Sequence, residues 1–293
     1  MLLFRVLLSI VEPIMPFFND GSVSLRYKFS PAGSPHSPVL VLIHEMGGAL
    51  ESWDAVVGLL GDVSTLQYDC RGSGFSQKVT QDYDHDVMSN DLLKLVNELC
   101  PGRQLVLAGC AFGAGIALDF AGRHPELVAH VVALAPAIGV EPAQRPARLA
   151  SADGIERDGV RPFGERLAAS GYPVNLRTDP VAYEEFLGRT LANDARSFAA
   201  AMRLVANSSL QDRLQDVRCP VTLAAGTFDR TRPPEMIEEF AKSFAEASVA
   251  VLPSGHFMHI QTPKEVAELI AEAMAAAGSR DRSTALPQGA ATG

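Results

Sequence analysis

Apolar and polar positions in this chain follow two rhythms that take turns. Pro38-Val39-Leu40-Val41-Leu42-Ile43 is continuously apolar, as a strand covered on both faces must be. Ser64–Tyr68, Leu105–Ala108, His130–Leu134, Pro220–Gly226 and Ser248–Leu252 read as further strands. Ser22–Phe29 alternates residue by residue and predicts a strand with one face in solvent. Between these runs the spacing becomes helical. Asp86–Cys100 carries Val87, Leu92, Leu95, Val96 and Leu99 on one stripe, and Trp53–Leu60, Ile116–Ala121, Glu235–Phe244 and Val266–Ala276 also read as helices. Strands that alternate with helices predict an α/β fold, with a mostly parallel sheet, right-handed crossovers and helices on both faces.

The rhythm stops over 139–212. No apolar strand run occurs there, and helical pieces such as Val181–Leu191 and Ala195–Ala206 take its place. The expected organisation is a core of 16–138 and 213–277 with a helical insertion between the halves. Met1–Ile10 is apolar except for Arg5 and Ser9 but too short to span a membrane, and no small-residue cleavage site follows, so residues 1–15 read as an N-terminal extension. Residues 278–293 are rich in Ser, Gly, Ala and Pro and read as a disordered tail.

Composition narrows the function classes. A chain of 293 residues suffices for one α/β domain with an insertion. A net charge of -9 disfavours nucleic acid as a partner. Cys70, Cys100, Cys110 and Cys219 have no metal-type spacing, which predicts reduced thiols in a cytoplasmic protein. No phosphate loop or metal cluster is legible, so a small-molecule substrate is expected, with no cofactor, metal or membrane.

The candidate chemistry begins at Gly109-Cys110-Ala111-Phe112-Gly113. An apolar strand precedes it and an apolar helix follows, which is the context of the nucleophile elbow G-x-S-x-G. Both glycines are present, but a methyl group, Ala111, stands where the nucleophile is expected. Cys110 is not a substitute, because a side chain one position earlier points away from the turn's tip.

Four further pieces fall in order around the elbow: His44-Glu45-Met46-Gly47, Asp69–Ser76, Gly226-Thr227-Phe228-Asp229 and Gly255-His256. Over 16–277 the chain resembles the alpha/beta-hydrolase fold family. Within it the chain looks most like 3-oxoadipate enol-lactonase and its relatives, on Trp53, Asp69–Ser76, Arg123-His124-Pro125 and Ala225–Pro234. The resemblance implies that Asp229 orients His256 as general base, with Ala111 at the nucleophile position. It also implies an oxyanion hole from the backbone N–H groups of Met46 and Phe112, a helical cap over the site, and substrate contacts from Trp53, Arg145 and Arg148. His259 is expected to be structural.

Two residues depart from that pattern. Ala111 cannot attack a carbonyl carbon, and Glu45 replaces a residue that is usually glycine beside the oxyanion hole. The expected substrate is a small ester or lactone, with a carboxylated one in view. Ala111 is then either a substituted serine or a native residue. If native, His256 and Asp229 would serve a lyase, decarboxylase or isomerase with Glu45 as an acid/base group of raised pKa, or the chain would bind a ligand without turning it over. The competing expectation for Glu45 is that it turns away or pairs with an arginine such as Arg71.

Overall fold

The computed structural model describes residues 16–284. The expected extension at 1–15 lies outside the described residues. Strand β1 (Phe17–Asn19) pairs antiparallel with β2 (Ser24–Ser30). β3 (Val39–Ile43) follows, every residue buried, then a 3₁₀ turn over Leu50–Trp53 and the short α1 (Asp54–Val57). β4 (Thr65–Tyr68), α2 (His85–Leu99), β5 (Leu105–Cys110), α3 (Phe112–Arg123) and β6 (Val128–Leu134) complete the first half.

The chain then leaves the sheet for α4 (Arg145–Asp158), α5 (Arg161–Gly171), α6 (Pro180–Leu191), α7 (Ala195–Asn207) and α8 (Gln211–Leu214). It returns through β7 (Val221–Gly226), α9 (Pro234–Ala241), β8 (Ala247–Leu252), α10 (Met258–Gln261) and α11 (Pro263–Thr284). The sheet order is β1-β2-β4-β3-β5-β6-β7-β8, antiparallel at β1–β2 and β2–β4 and parallel from β4 to β8. This is the expected α/β architecture with helices on both faces.

Each face of the sheet has its own core. One buries Val41, Leu66, Leu107 and Val131 against Leu92, Ile116 and Phe120. The other buries Leu40, Val106 and Val132 against Trp53, Val266 and Ile270. β3, β5 and β6 are covered on both sides, which is why their sequences are almost wholly apolar, His130 in β6 aside. At roughly 25 cal/mol per Å² of apolar surface removed from water, this double layer is the main stabilising term.

Three elements differ from expectation. The helix expected over Trp53–Leu60 is only one turn, and its chain reverses at Gly61, whose φ is 68°. β2 is not a half-exposed strand throughout, because Leu25 and Arg26 are both buried. Arg26 can be buried because its guanidinium meets the Asp69 carboxylate, Nε to Oδ2 at 2.9 Å. Finally, α11 runs to Thr284, past the start of the expected tail at 278; residues 285–293 lie outside the described residues.

The inserted helices carry two small cores of their own. α4 packs on α7 through Ala152, Ile155, Phe198 and Met202. Ala168, Tyr172 and Phe186 pack with Phe257, the residue after His256. Phe186 and Phe257 have ring centroids 4.5 Å apart, so the insertion is fastened to the loop that follows β8.

Candidate active site

Ala111 sits between β5 and α3 with φ 50° and ψ -106°. This conformation is strained for any residue with a Cβ, and small neighbours make it possible. A Cβ on Gly109 would overlap the Gly113 and Ala114 backbone, and one on Gly113 would overlap the carbonyls of Ile43 and His44. The glycines are therefore spacers that let α3 start hard against β3 and β5. Ala111 N–H donates to Leu134 O at 2.8 Å, and Ala111 O accepts from Ala137 N–H at 2.9 Å. The methyl group is thus fixed at the sheet's C-terminal edge, where open α/β sheets bind ligands.

Asp229 follows β7 and His256 follows β8, at the same edge. His256 Nδ1 lies 2.7 Å from Asp229 Oδ2. Since the carboxylate can only accept, Nδ1–H donates and Nε2 is left as the basic nitrogen. Burial by itself would raise the Asp229 pKa. The His256 hydrogen bond and charge outweigh it, with N–H groups of Arg232 (3.1 Å) and Thr231 (2.8 Å) on Oδ1, and hold the carboxyl below its usual range.

Ala111 and His256 line one cavity of about 740 Å³, counting its open mouth. Met46 and Phe112 border it from the core, while Arg148, Phe163, Leu167 and Met202 close it from the inserted helices. Phe112 opens α3, so its N–H has no acceptor in a preceding turn. Met46 is at the bend of a turn closed by Gly48 N–H donating to Glu45 O at 3.0 Å. Both amides belong to segments that border Ala111.

The inserted helices grip both loops of this cavity. Asn193 Nδ2–H donates to Gly47 O at 2.9 Å. His256 N–H and Gln261 Nε2–H both donate to Gly171 O at 2.9 Å. His44, at the start of the loop after β3, is buried, with Nδ1 2.7 Å from Glu45 O and Nε2 3.0 Å from Cys70 N. Cys70 N–H donates to Nε2, which leaves Nδ1–H to donate to Glu45 O.

Glu45 neither faces an arginine nor turns to solvent. It is 1% exposed; Oε2 accepts from His259 Nε2 at 2.9 Å and Oε1 from Ser52 Oγ at 3.0 Å. Burial opposes its charge, but the adjacent His259 outweighs that and holds the carboxyl down at about 2. The expected raised pKa is therefore corrected to a lowered one, and the expected acid/base role goes with it: both carboxylate oxygens are already hydrogen-bonded. Arg71 is taken by Asp91, with contacts of 2.7 and 2.6 Å.

Two expected substrate contacts are also corrected. Trp53 is fully buried and stacks on His259 with ring centroids 4.5 Å apart, away from the cavity lining. Arg145 points to the surface side of α4, where its guanidinium donates to Asn207 Oδ1 at 2.7 and 3.1 Å. Arg148, one helical turn further, does line the cavity. Cys110 is buried and its Sγ lies 3.4 Å from His256 O; burial pushes the thiol well up, so it is no nucleophile.

The model for the alpha/beta hydrolase family matches residues 40–269. The chain belongs to the alpha/beta hydrolase family. One relative, from Bacillus subtilis (strain 168), is 25% identical over 87% of this chain and 95% of its own length. It is provisionally named 2-succinyl-6-hydroxy-2,4-cyclohexadiene-1-carboxylate synthase. Among solved structures, a hydrolase from Pseudomonas aeruginosa PA01 superposes with a TM-score of 0.81 at 23% identity, covering 90% of this chain and 99% of that one. The enol-lactonase from Burkholderia xenovorans LB400 also reaches 0.81, at 20% identity over 89% of this chain and all of that one. At these identities the structural likeness establishes the fold.

Among the described residues no helix is long and apolar enough to cross a membrane, and no cluster of His, Cys, Asp and Glu could hold a metal. Sequence reasoning missed Arg232, which lines the cavity beside Thr231. Its side chain is turned in by Pro136 O and Gly139 O, which no local pattern announces. It also missed the Glu45–His259 pair, which no local pattern announces.

Proposed function

We propose that this chain hydrolyses a small ester or lactone, with His256 acting as general base on water and no covalent acyl-enzyme. The observation that supports it is the His256–Asp229 hydrogen bond at 2.7 Å on a cavity whose floor is the Ala111 methyl. Water occupies the space that a serine hydroxyl would take. As its oxygen attacks the substrate carbonyl carbon, Nε2 of His256 takes its proton, and Asp229 stabilises the resulting imidazolium. The carbonyl electrons pass to oxygen, which is met by the Met46 and Phe112 N–H groups. Collapse breaks the ester C–O bond, and the departing alkoxide takes the proton back from His256.

A second reading has His256 taking a proton from the substrate itself, as a lyase or isomerase would. The apolar cavity walls favour it, as does the synthase name of the Bacillus subtilis relative. Glu45 is not its partner, because His259 and Ser52 occupy both of its oxygens. A panel of small esters and lactones, turned over in ¹⁸O-labelled water, tests the proposal. Hydrolysis places one ¹⁸O in the acid product and depends on His256. Turnover without label supports the second reading, and equal rates for the wild type and His256→Ala mark a binding protein.

A further inference from the structure

We infer that Arg148 and Arg232 form an anion subsite in this cavity, and that the ligand carries a carboxylate apart from its reacting carbonyl group. The substrate part of this inference rests on the hydrolytic reading above; the subsite itself does not. Both arginines line the cavity, Arg148 from α4 above and Arg232 from the loop after β7. Among the described residues the Arg148 guanidinium makes no hydrogen bond or ion pair, whereas its neighbour Arg145 is tied to Asn207. Among the described residues the Arg232 guanidinium is anchored on carbonyl oxygens: Nε donates to Pro136 O at 3.1 Å, Nη2 to Gly139 O at 3.3 Å and Nη1 to Thr231 O at 3.0 Å.

Carbonyl groups orient a guanidinium but do not cancel its charge. Burial and the like charge of Arg148 lower the Arg232 pKa against the pull of Asp229, so the two cations are close enough to repel. The one acidic residue on the lining is Glu45, whose carboxylate is committed to His259 and Ser52. In a chain of net charge -9, an exposed Arg148 and a half-buried Arg232 thus make a positive corner at this cavity, offset only in part by Asp229. Arg148 offers a planar fork to a planar carboxylate, and Arg232 keeps one further N–H on each Nη beside those given to carbonyl groups. The remaining lining, Phe163, Leu167, Met202, Val205 and Phe257, suits a short hydrocarbon chain rather than a second charge.

The geometry also links this corner to the dyad. Arg232 gives its backbone N–H to Asp229 Oδ1 and its side chain to Gly139, where the chain enters the inserted helices. A carboxylate bound there would bear on the loop that aims His256.

Titration calorimetry with succinate as the probe tests this without needing turnover. Succinate should bind the wild type, bind more weakly as salt rises, and bind about tenfold or more weakly to Arg148→Met. Arg232→Met should weaken it similarly; where its lost carbonyl contacts also lower Tm, Arg148→Met alone decides. No binding of succinate, unchanged affinity in Arg148→Met, or equally tight inorganic phosphate would overturn the subsite. Arginine-dependent succinate binding without hydrolysis of any ester keeps the subsite and removes the hydrolytic reading. Neutral esters cleaved as fast as half-esters of succinate, whatever stands at 148, do the reverse.

Discussion

Glu45 and His259, 214 positions apart, meet at 2.9 Å in a spot that solvent does not reach. Their contact joins the loop after β3 to the short helix that begins two residues after His256. The carboxylate occupies the space that a Cβ on Gly48 would fill. The departure at position 45 is thus a built feature: Gly48 makes room, Ser52 and His259 hydrogen-bond the charge, and Trp53 covers His259.

Replacing Glu45 by Gln keeps an acceptor and removes the charge. We expect a loss of about 1–3 kcal/mol in unfolding free energy, read by denaturant titration. The pH dependence carries a sign. Glu45 is depressed from 4.5 to about 2, so its contribution is complete above 4.5 and is lost as pH falls toward 2. The wild type should therefore lose stability across that window more steeply than Glu45→Gln; parallel curves would show that Glu45 is not a buried anion.

Gly48→Ala should destabilise by about 1–3 kcal/mol, because its Cβ would overlap the Glu45 carboxylate. The two sites are in contact, so their effects should not add. In Glu45→Ala the added methyl at 48 should cost markedly less, and a full thermodynamic cycle of Tm or urea midpoints checks this.

The dyad's geometry makes Asp229→Asn informative. Asn can present N–H to Nδ1, which favours the tautomer with the proton on Nε2, the wrong one for a base. Loss of turnover by about 10⁴-fold with little change in KM is the expected result, by analogy with serine proteases.

Ala111→Ser should convert the site to the covalent route. The backbone is already in the elbow conformation and His256 is in place. In a subtilisin triad, loss of the serine costs about 10⁶ in turnover, so the reverse change should produce fast cleavage of small aryl esters with an acyl-enzyme visible by intact mass. A folded variant with no gain and no adduct would show that the cavity is shaped for different chemistry.

Much of this fold was legible because β3, β5 and β6 are buried on both faces and so read as almost wholly apolar runs. The elbow and the Asp229–His256 order were legible because steric need puts glycine beside position 111 and strand ends place the rest. α4 and α5 were not, since α4 buries only Ala152 and Ile155 of a mostly polar sequence and leaves little stripe to find. β1 is three residues long and below any periodicity. Trp53 was misplaced because an aromatic after the loop that follows β3 suits a cavity wall and a buried stack equally well. The Glu45–His259 pair and the inward turn of Arg232 depend on contacts between distant segments, which no spacing within the sequence encodes.

The pre-steady-state release of aryl alcohol from a small aryl ester tests most directly whether His256 acts without a covalent step. The wild type should release product in a single linear phase with no burst and no mass adduct, and His256→Ala should fall by about 10²-fold or more. A stoichiometric burst in the wild type, or an undiminished rate in His256→Ala, would contradict that non-covalent role.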